Sequence, residues 1–308
     1  MALSETYRRQ VGLVLRVMPA VVAEECFALK GGTAINLFVH DLPRLSVDID
    51  LTYLPVEDRA SSLRGIEKAL ERIAERAKAA VPRLLIERGR TREERSTTAL
   101  FLRSGAAQVK VEVTPVLRGC VFVPELREVT PSVEEQFGYA EMRVVSLPDL
   151  YAGKIVAALD RQHPRDLFDV RELLARQGVT DELRRAFLVY LISHDRRMSE
   201  ILAPARKDLT TEFAQGFEGM TTAPVPLEQL EATREALIEA MVGQMPRLHR
   251  RFLIDTKAKG EADWEGLGPA DARNLPAVRW KLQNLGRLEA GRRDDLAQRL
   301  AEVLGIEV

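Results

Sequence analysis

Two aspartates and a glycine pair carry the clearest chemical signal in the chain. In Ser46-Val47-Asp48-Ile49-Asp50-Leu51 the apolar residues alternate with polar ones, the period of a strand with one apolar and one polar face. Asp48 and Asp50 then stand about 6–7 Å apart on the polar face. They repel each other unless a positive charge lies between them. A divalent metal suits that place, and Mg²⁺ commonly takes one or two carboxylates together with substrate phosphates. Upstream, Gly31-Gly32-Thr33 opens a helical stretch where bare backbone N–H groups can approach phosphate. Ser46 projects beside Asp48, either as a plain polar strand residue or as a phosphate contact whose modification would add negative charge. An Asp-x-Asp pair alone is common on solvated strand faces, and two glycines alone can be a turn.

Several elements must position these residues. Residues 5–24 show helical periodicity, 26–29 read as a short strand, 33–39 as a short helix and 46–53 as the aspartate strand. Pro55 closes it, and residues 57–80 carry Leu63, Ile66, Leu70, Ile73 and Ala77 at helical gaps. Strands are expected at 83–87, 97–103 and 108–114. In the last, Val109, Val111 and Val113 alternate with Gln108, Lys110 and Glu112, so Glu112 becomes a third carboxylate if this strand lies beside the aspartate strand. Residues 116–145 show little pattern beyond an edge strand at 142–145. This order argues for an α/β (α+β) mixed-sheet core over residues 1–145. Residues 146–308 read as a mostly helical domain that completes the active site and binds the acceptor. Its helices are expected at 149–159, 165–176, 181–194 and 227–242, with a loop over 255–271 and two short helices after 275.

A second constellation lies in that helical half. Lys154 sits on one expected helix, and Arg165-Asp166-Leu167-Phe168-Asp169 opens the next behind Pro164, a residue favoured at the first helical position. Asp166 and Asp169 share a face. A lysine and an aspartate brought together across a helix–turn–helix suit a phosphate-gripping cation beside an acid or base. Lys154 could equally be a solvated charge, Asp166 a residue favouring a helix start, and Arg165 with Asp169 a structural pair at i,i+4.

Taken together, Gly31-Gly32-Thr33, Ser46-x-Asp48-x-Asp50, Lys154 and Arg165-Asp166-x-x-Asp169 resemble the AbiEii/AbiGii-type nucleotidyltransferase toxins of the DNA polymerase β-like nucleotidyltransferase superfamily. The match in order and spacing runs from about residue 27 to about 175. The resemblance implies a metal-dependent nucleotidyltransferase that uses Mg²⁺ and an NTP, in a type IV-like toxin–antitoxin or phage-defence setting with a cognate antitoxin. It implies an RNA acceptor, the 3′ end of tRNA. The assigned roles are Asp48, Asp50 and Glu112 for metal, Gly31, Gly32, Thr33, Ser46, Lys154 and Arg165 for nucleotide, and Asp48, Asp50, Lys154 and Asp166 for catalysis. Two other classes stay open: transfer to a small molecule or protein, and a non-catalytic module that binds nucleotide or a partner.

Composition bounds these readings. The 308 residues carry a net charge of −1, so no global basic field announces nucleic acid and any such contact is local. The stretch from Arg273 to Arg299 has a local excess of basic residues. It is either a solvated helical face or a phosphate-backbone contact, with Trp280 packed in a core or stacked on a base. Cys26 and Cys120 read as reduced thiols of a cytoplasmic protein. No apolar run suits a signal peptide or a membrane span. The four histidines lack metal-ligand spacing and read as surface or loop residues.

Overall fold

The computed structural model describes residues 5–91 and 96–307. They form two compact units, one of residues 1–146 with 219–224 and the other of residues 147–218 with 225–308.

The first unit is built on a seven-stranded mixed sheet in the order β3-β4-β5-β2-β1-β7-β6. The strands are β1 (Phe27–Lys30), β2 (Ile49–Tyr53), β3 (Leu85–Arg90), β4 (Thr97–Ser104), β5 (Ala107–Val113), β6 (Glu125–Glu128) and β7 (Glu141–Val144). β2 runs antiparallel to β1 and parallel to β5, and β1 runs parallel to β7. Helices α1 (Glu5–Val22) and α3 (Arg59–Ala80) pack on β5 and β4. The valines 109, 111 and 113 of β5 and Leu100 and Leu102 of β4 are buried on that face. The polar residues between them therefore point to the opposite face, as the pleat requires. Asp58 caps α3, accepting a bond from Ser61 N at 2.9 Å. Glu24 sits against α3 through Arg72 at 2.5 Å and Arg76 at 2.6 Å.

The sequence reading differs from the structure at several places within this unit; β3, for one, spans Leu85–Arg90 rather than 83–87. β2 begins at Ile49, so Ser46 and Asp48 lie in the segment leading into it. Residues 34–39 form a π-helix (Ala34–Val39) running on from the single turn α2 (Gly31–Thr33). β6 and α4 (Pro131–Phe137) occupy the patternless region. The edge strand on this side of the sheet is β6 and not β7, which lies between β6 and β1. β6 shows no hydrophobic alternation because it is an edge, with Glu125, Leu126 and Glu128 all exposed.

The second unit is helical: α5 (Leu147–Arg161), α6 (Pro164–Arg176), α7 (Asp181–Ser193), α8 (Met198–Leu202), α9 (Thr210–Gly216), α10 (Leu227–Ile238), α11 (Arg247–Lys259), α12 (Trp264–Leu267), α13 (Pro276–Gly286) and α14 (Ala290–Leu304). α11 replaces the first part of the expected loop over 255–271 and ends at Gly260, whose φ of 71° is the left-handed stop a glycine allows. His40 and His249 are buried, against the surface reading of all four histidines. No helix among the described residues is long and apolar enough to cross a membrane.

Candidate active site

In the first unit the site begins with strand register. Asp50 of β2 lies opposite Glu112 of β5 on one side and Lys30 of β1 on the other. Direct cross-strand neighbours have Cβ atoms about 5 Å apart. Lys30, Asp50 and Glu112 therefore make one row across three strands, on the face away from α1 and α3. Asp48, just ahead of β2, is exposed. Lys30 Nζ donates to Thr114 Oγ1 at 2.9 Å. Burial pulls the Lys30 ammonium below its ordinary pKa, against the charges of Asp50, Cys120 and Glu112, which favour its protonated form. Glu112 forms an ion pair with Lys110, two residues back on the same face.

The glycine pair meets this row directly. Gly31 has φ +75°, and a Cβ there would sit 2.3 Å from Asp50 Oδ2. A Cβ on Gly32 would sit 2.6 Å from Ser46 Oγ and 2.7 Å from an Arg44 guanidinium nitrogen. Both positions thus need glycine for close approach, and Gly31 also for its backbone angle. Thr33 Oγ1 donates to Ser46 Oγ at 3.2 Å. Asn36 Nδ2 donates to Gly32 O at 2.8 Å and Asn36 Oδ1 accepts from Arg44 N at 3.3 Å. The Tyr7 hydroxyl accepts from Ser46 N at 3.2 Å. Burial raises the pKa of that hydroxyl, opposed by the Ser46 bond and the Arg44 charge.

The structure thus brings together Gly31, Gly32, Thr33, Ser46, Asp50 and Glu112 within one unit, and adds Lys30, Arg44, Asn36, Tyr7 and Lys110. Lys30 was legible in principle, since it closes the strand before the glycines. Arg44 looked like part of a turn, and Tyr7 comes from a distant helix with no local signal. Among the described residues no group of three or more His, Cys, Asp or Glu side chains is gathered to hold an ion alone. Asp50 and Glu112, with Asp48 close in sequence, could supply two or three hard oxygens to an ion shared with phosphates, the usual Mg²⁺ arrangement.

In the second unit Lys154 of α5 is the centre of a buried cluster. Its Nζ lies 2.8 Å from Asp166 Oδ1 and 3.1 Å from Asp169 Oδ2, both on α6. Arg161 closes on Asp166 Oδ2 at 2.8 Å. Lys154 is only 9% exposed at its side chain and Asp169 1%, so the i, i+3 pair of aspartates turns inward onto the lysine. His163 caps α6, its Nδ1 accepting from Arg165 N at 3.1 Å, with Pro164 at the first position. Arg165 itself is exposed.

This two-part arrangement, a glycine-hugged carboxylate row on a mixed sheet followed by a helical unit, places the chain among nucleotidyltransferases. Its fold is similar to that of MenT4, a nucleotidyltransferase toxin from Mycobacterium tuberculosis H37Rv. That similarity has a TM-score of 0.57 at 16% identity and covers 91% of this chain and 93% of that one. Residues 13–284 match the family model of the nucleotidyl transferase AbiEii toxin of type IV toxin–antitoxin systems, and the chain belongs to that family. It is accordingly a nucleotidyltransferase toxin, of a class that generally uses a divalent metal. No curated protein matches the sequence.

Proposed function

We propose that the protein transfers nucleotides from an NTP to an RNA acceptor, the 3′ end of tRNA, in the bacterial cytoplasm, as the toxin of a toxin–antitoxin or phage-defence system held in check by a cognate antitoxin. The observation that carries the transfer chemistry is the register of Asp50 with Glu112, with Gly31 pressed against the Asp50 carboxylate. Asp48, Asp50 and Glu112 would hold Mg²⁺, which would supply charge neutralisation for the transferring phosphoryl group and the leaving pyrophosphate.

The chain's own residues do the rest. Gly31, Gly32 and Thr33 offer close backbone approach to the β- and γ-phosphates, with Ser46 and Arg44 alongside. The family pattern assigns Lys154 and Arg165 to nucleotide binding. An acceptor hydroxyl must lose a proton as it attacks. Asp166 has both carboxylate oxygens engaged, one by Lys154 and one by Arg161, so it orients Lys154. The proton is left to one of the metal-binding carboxylates Asp48, Asp50 and Glu112 rather than to Asp166.

The test incubates purified protein with total tRNA, Mg²⁺ and each labelled NTP in turn. Label in tRNA is expected. Label on protein or small molecules only would overturn the RNA acceptor, and no transfer to any acceptor would overturn the activity.

A further inference from the structure

The face that carries Asp50 and Glu112 does not end with them. Glu112 lies opposite Ala99, which lies opposite Gly89; in the next row Lys110 lies opposite Phe101 and Phe101 opposite Glu87. In the row after that, Gln108 lies opposite Arg103 and Arg103 opposite Leu85. All these side chains point away from α3, because Leu100, Leu102 and Val109 between them are buried on the other side. Leu85, Glu87, Arg103 and Gln108 are exposed and Phe101 is half-buried. With Phe101 they line a groove of about 270 Å³.

Three features make this face suited to single-stranded nucleic acid. Phe101 is an accessible aromatic set over a glycine: a Cβ on Gly89 would sit 3.1 Å from its ring. Base stacking needs an accessible ring face and tolerates any base. Arg103 lies beside Leu85 and Gln108, with no acid directly opposite it, and Lys110 Nζ lies 5.8 Å from the Phe101 ring centre. Arg103, and Lys110 in its ion pair with Glu112, therefore border the ring, with the acid Glu87 directly across from it. Finally, the rows step away from Glu112 at about 6–7 Å each, comparable to the extended reach of one nucleotide.

We infer that the open face of β3, β4 and β5 is the docking track for the 3′-terminal nucleotides of the RNA acceptor. Phe101 stacks a base next to the terminal nucleotide, Arg103 holds backbone phosphate, and the terminal hydroxyl lies at Glu112. This rests on the RNA-acceptor reading above and names the surface that reading requires. A second copy of the chain or the antitoxin could cover the same face, and the test separates them.

Phe101→Leu and Arg103→Gln are compared with wild type for tRNA binding by fluorescence anisotropy and for kinetics of nucleotide transfer. Circular dichroism melts and an unchanged KM for NTP control for folding. Phe101→Leu is expected to weaken tRNA binding about tenfold or more, the scale of one lost stack, with KM for tRNA rising in step. Arg103→Gln is expected to flatten the salt dependence of tRNA binding by about one unit of slope. Unchanged tRNA binding in both folded variants overturns the inference, as does a change confined to oligomeric state or antitoxin capture. If wild type labels no RNA, the transfer reading falls by itself. The anisotropy series then still decides whether RNA uses this face.

Discussion

Asp48 and Gly31 separate chemistry from folding at single-residue resolution. Asp48 is exposed and outside β2, so Asp48→Ala removes the proposed metal oxygen and no core contact. Nucleotide transfer is expected to vanish, measured by label incorporation, while the melting curve stays within a degree or so of wild type, since exposed substitutions fall within about 0.5 kcal/mol. Gly31→Ala is the converse case. Its φ of +75° disfavours any side chain, and the new Cβ would collide with the Asp50 carboxylate. The expected loss is about 1–2 kcal/mol of stability together with most of the activity, read by denaturant melts and by transfer assays. Lys257 gives a pH signature of its own. Burial pulls its ammonium down to about 8. Between that pH and its ordinary value near 10.4 the unfolded chain holds more protons than the folded one, so stability rises with pH through this window. Lys257→Met is expected to raise the melting temperature at neutral pH and to shrink the gain that wild type shows on going to pH 9.

Helix pairs and strand pairs differ in how much of themselves they wrote into the sequence. The aspartate strand and β5 were legible because both alternate strictly, and their pairing put Asp50 opposite Glu112. The start of β2 was not, since alternation continues through Ser46 and Asp48 although the ladder begins at Ile49. Edge strand β6 and helix α4 have too few buried residues to leave a period, and the last turn of α11, rich in lysine, reads as part of the following loop. Lys154 and the two aspartates of α6 could be seen as a set, but only the packing shows that α5 and α6 are joined by a buried ion cluster. Removing one partner of such a cluster strands the others. Lys154→Met is therefore expected to cost about 3–5 kcal/mol in addition to activity. The double change Lys154→Met with Asp169→Asn should recover part of the stability and none of the transfer, as denaturant melts and label incorporation would show. The contact of Glu24 with α3 predicts an acid response. Burial would raise the Glu24 carboxyl, but the bonds and charges of Arg72 and Arg76 outweigh it and hold its pKa below the usual range. Its stabilisation is present above about pH 4.3, the ordinary glutamate value, and is lost as pH falls through its lowered folded value. Glu24→Gln should flatten the melting-temperature loss in that acid window.

The whole chain has a connectivity that the strand and helix inventory hides. The first unit is not finished at Ser146. Residues 219–224 return to it, where Leu45 N donates to Met220 O at 2.8 Å and Thr222 N to Pro43 O at 3.0 Å, bracketing Arg44 and leading into Ser46. Translation proceeds at about 5–20 residues per second, so the ribosome needs roughly 4–16 s after the last sheet strand emerges before this strap can close. During that interval the nascent toxin carries its carboxylates without the segment that pins Arg44 and Ser46. A prematurely released fragment is left in the same state, so the order of synthesis itself delays completion of the segment that holds Arg44 and Ser46 in the cell that makes it.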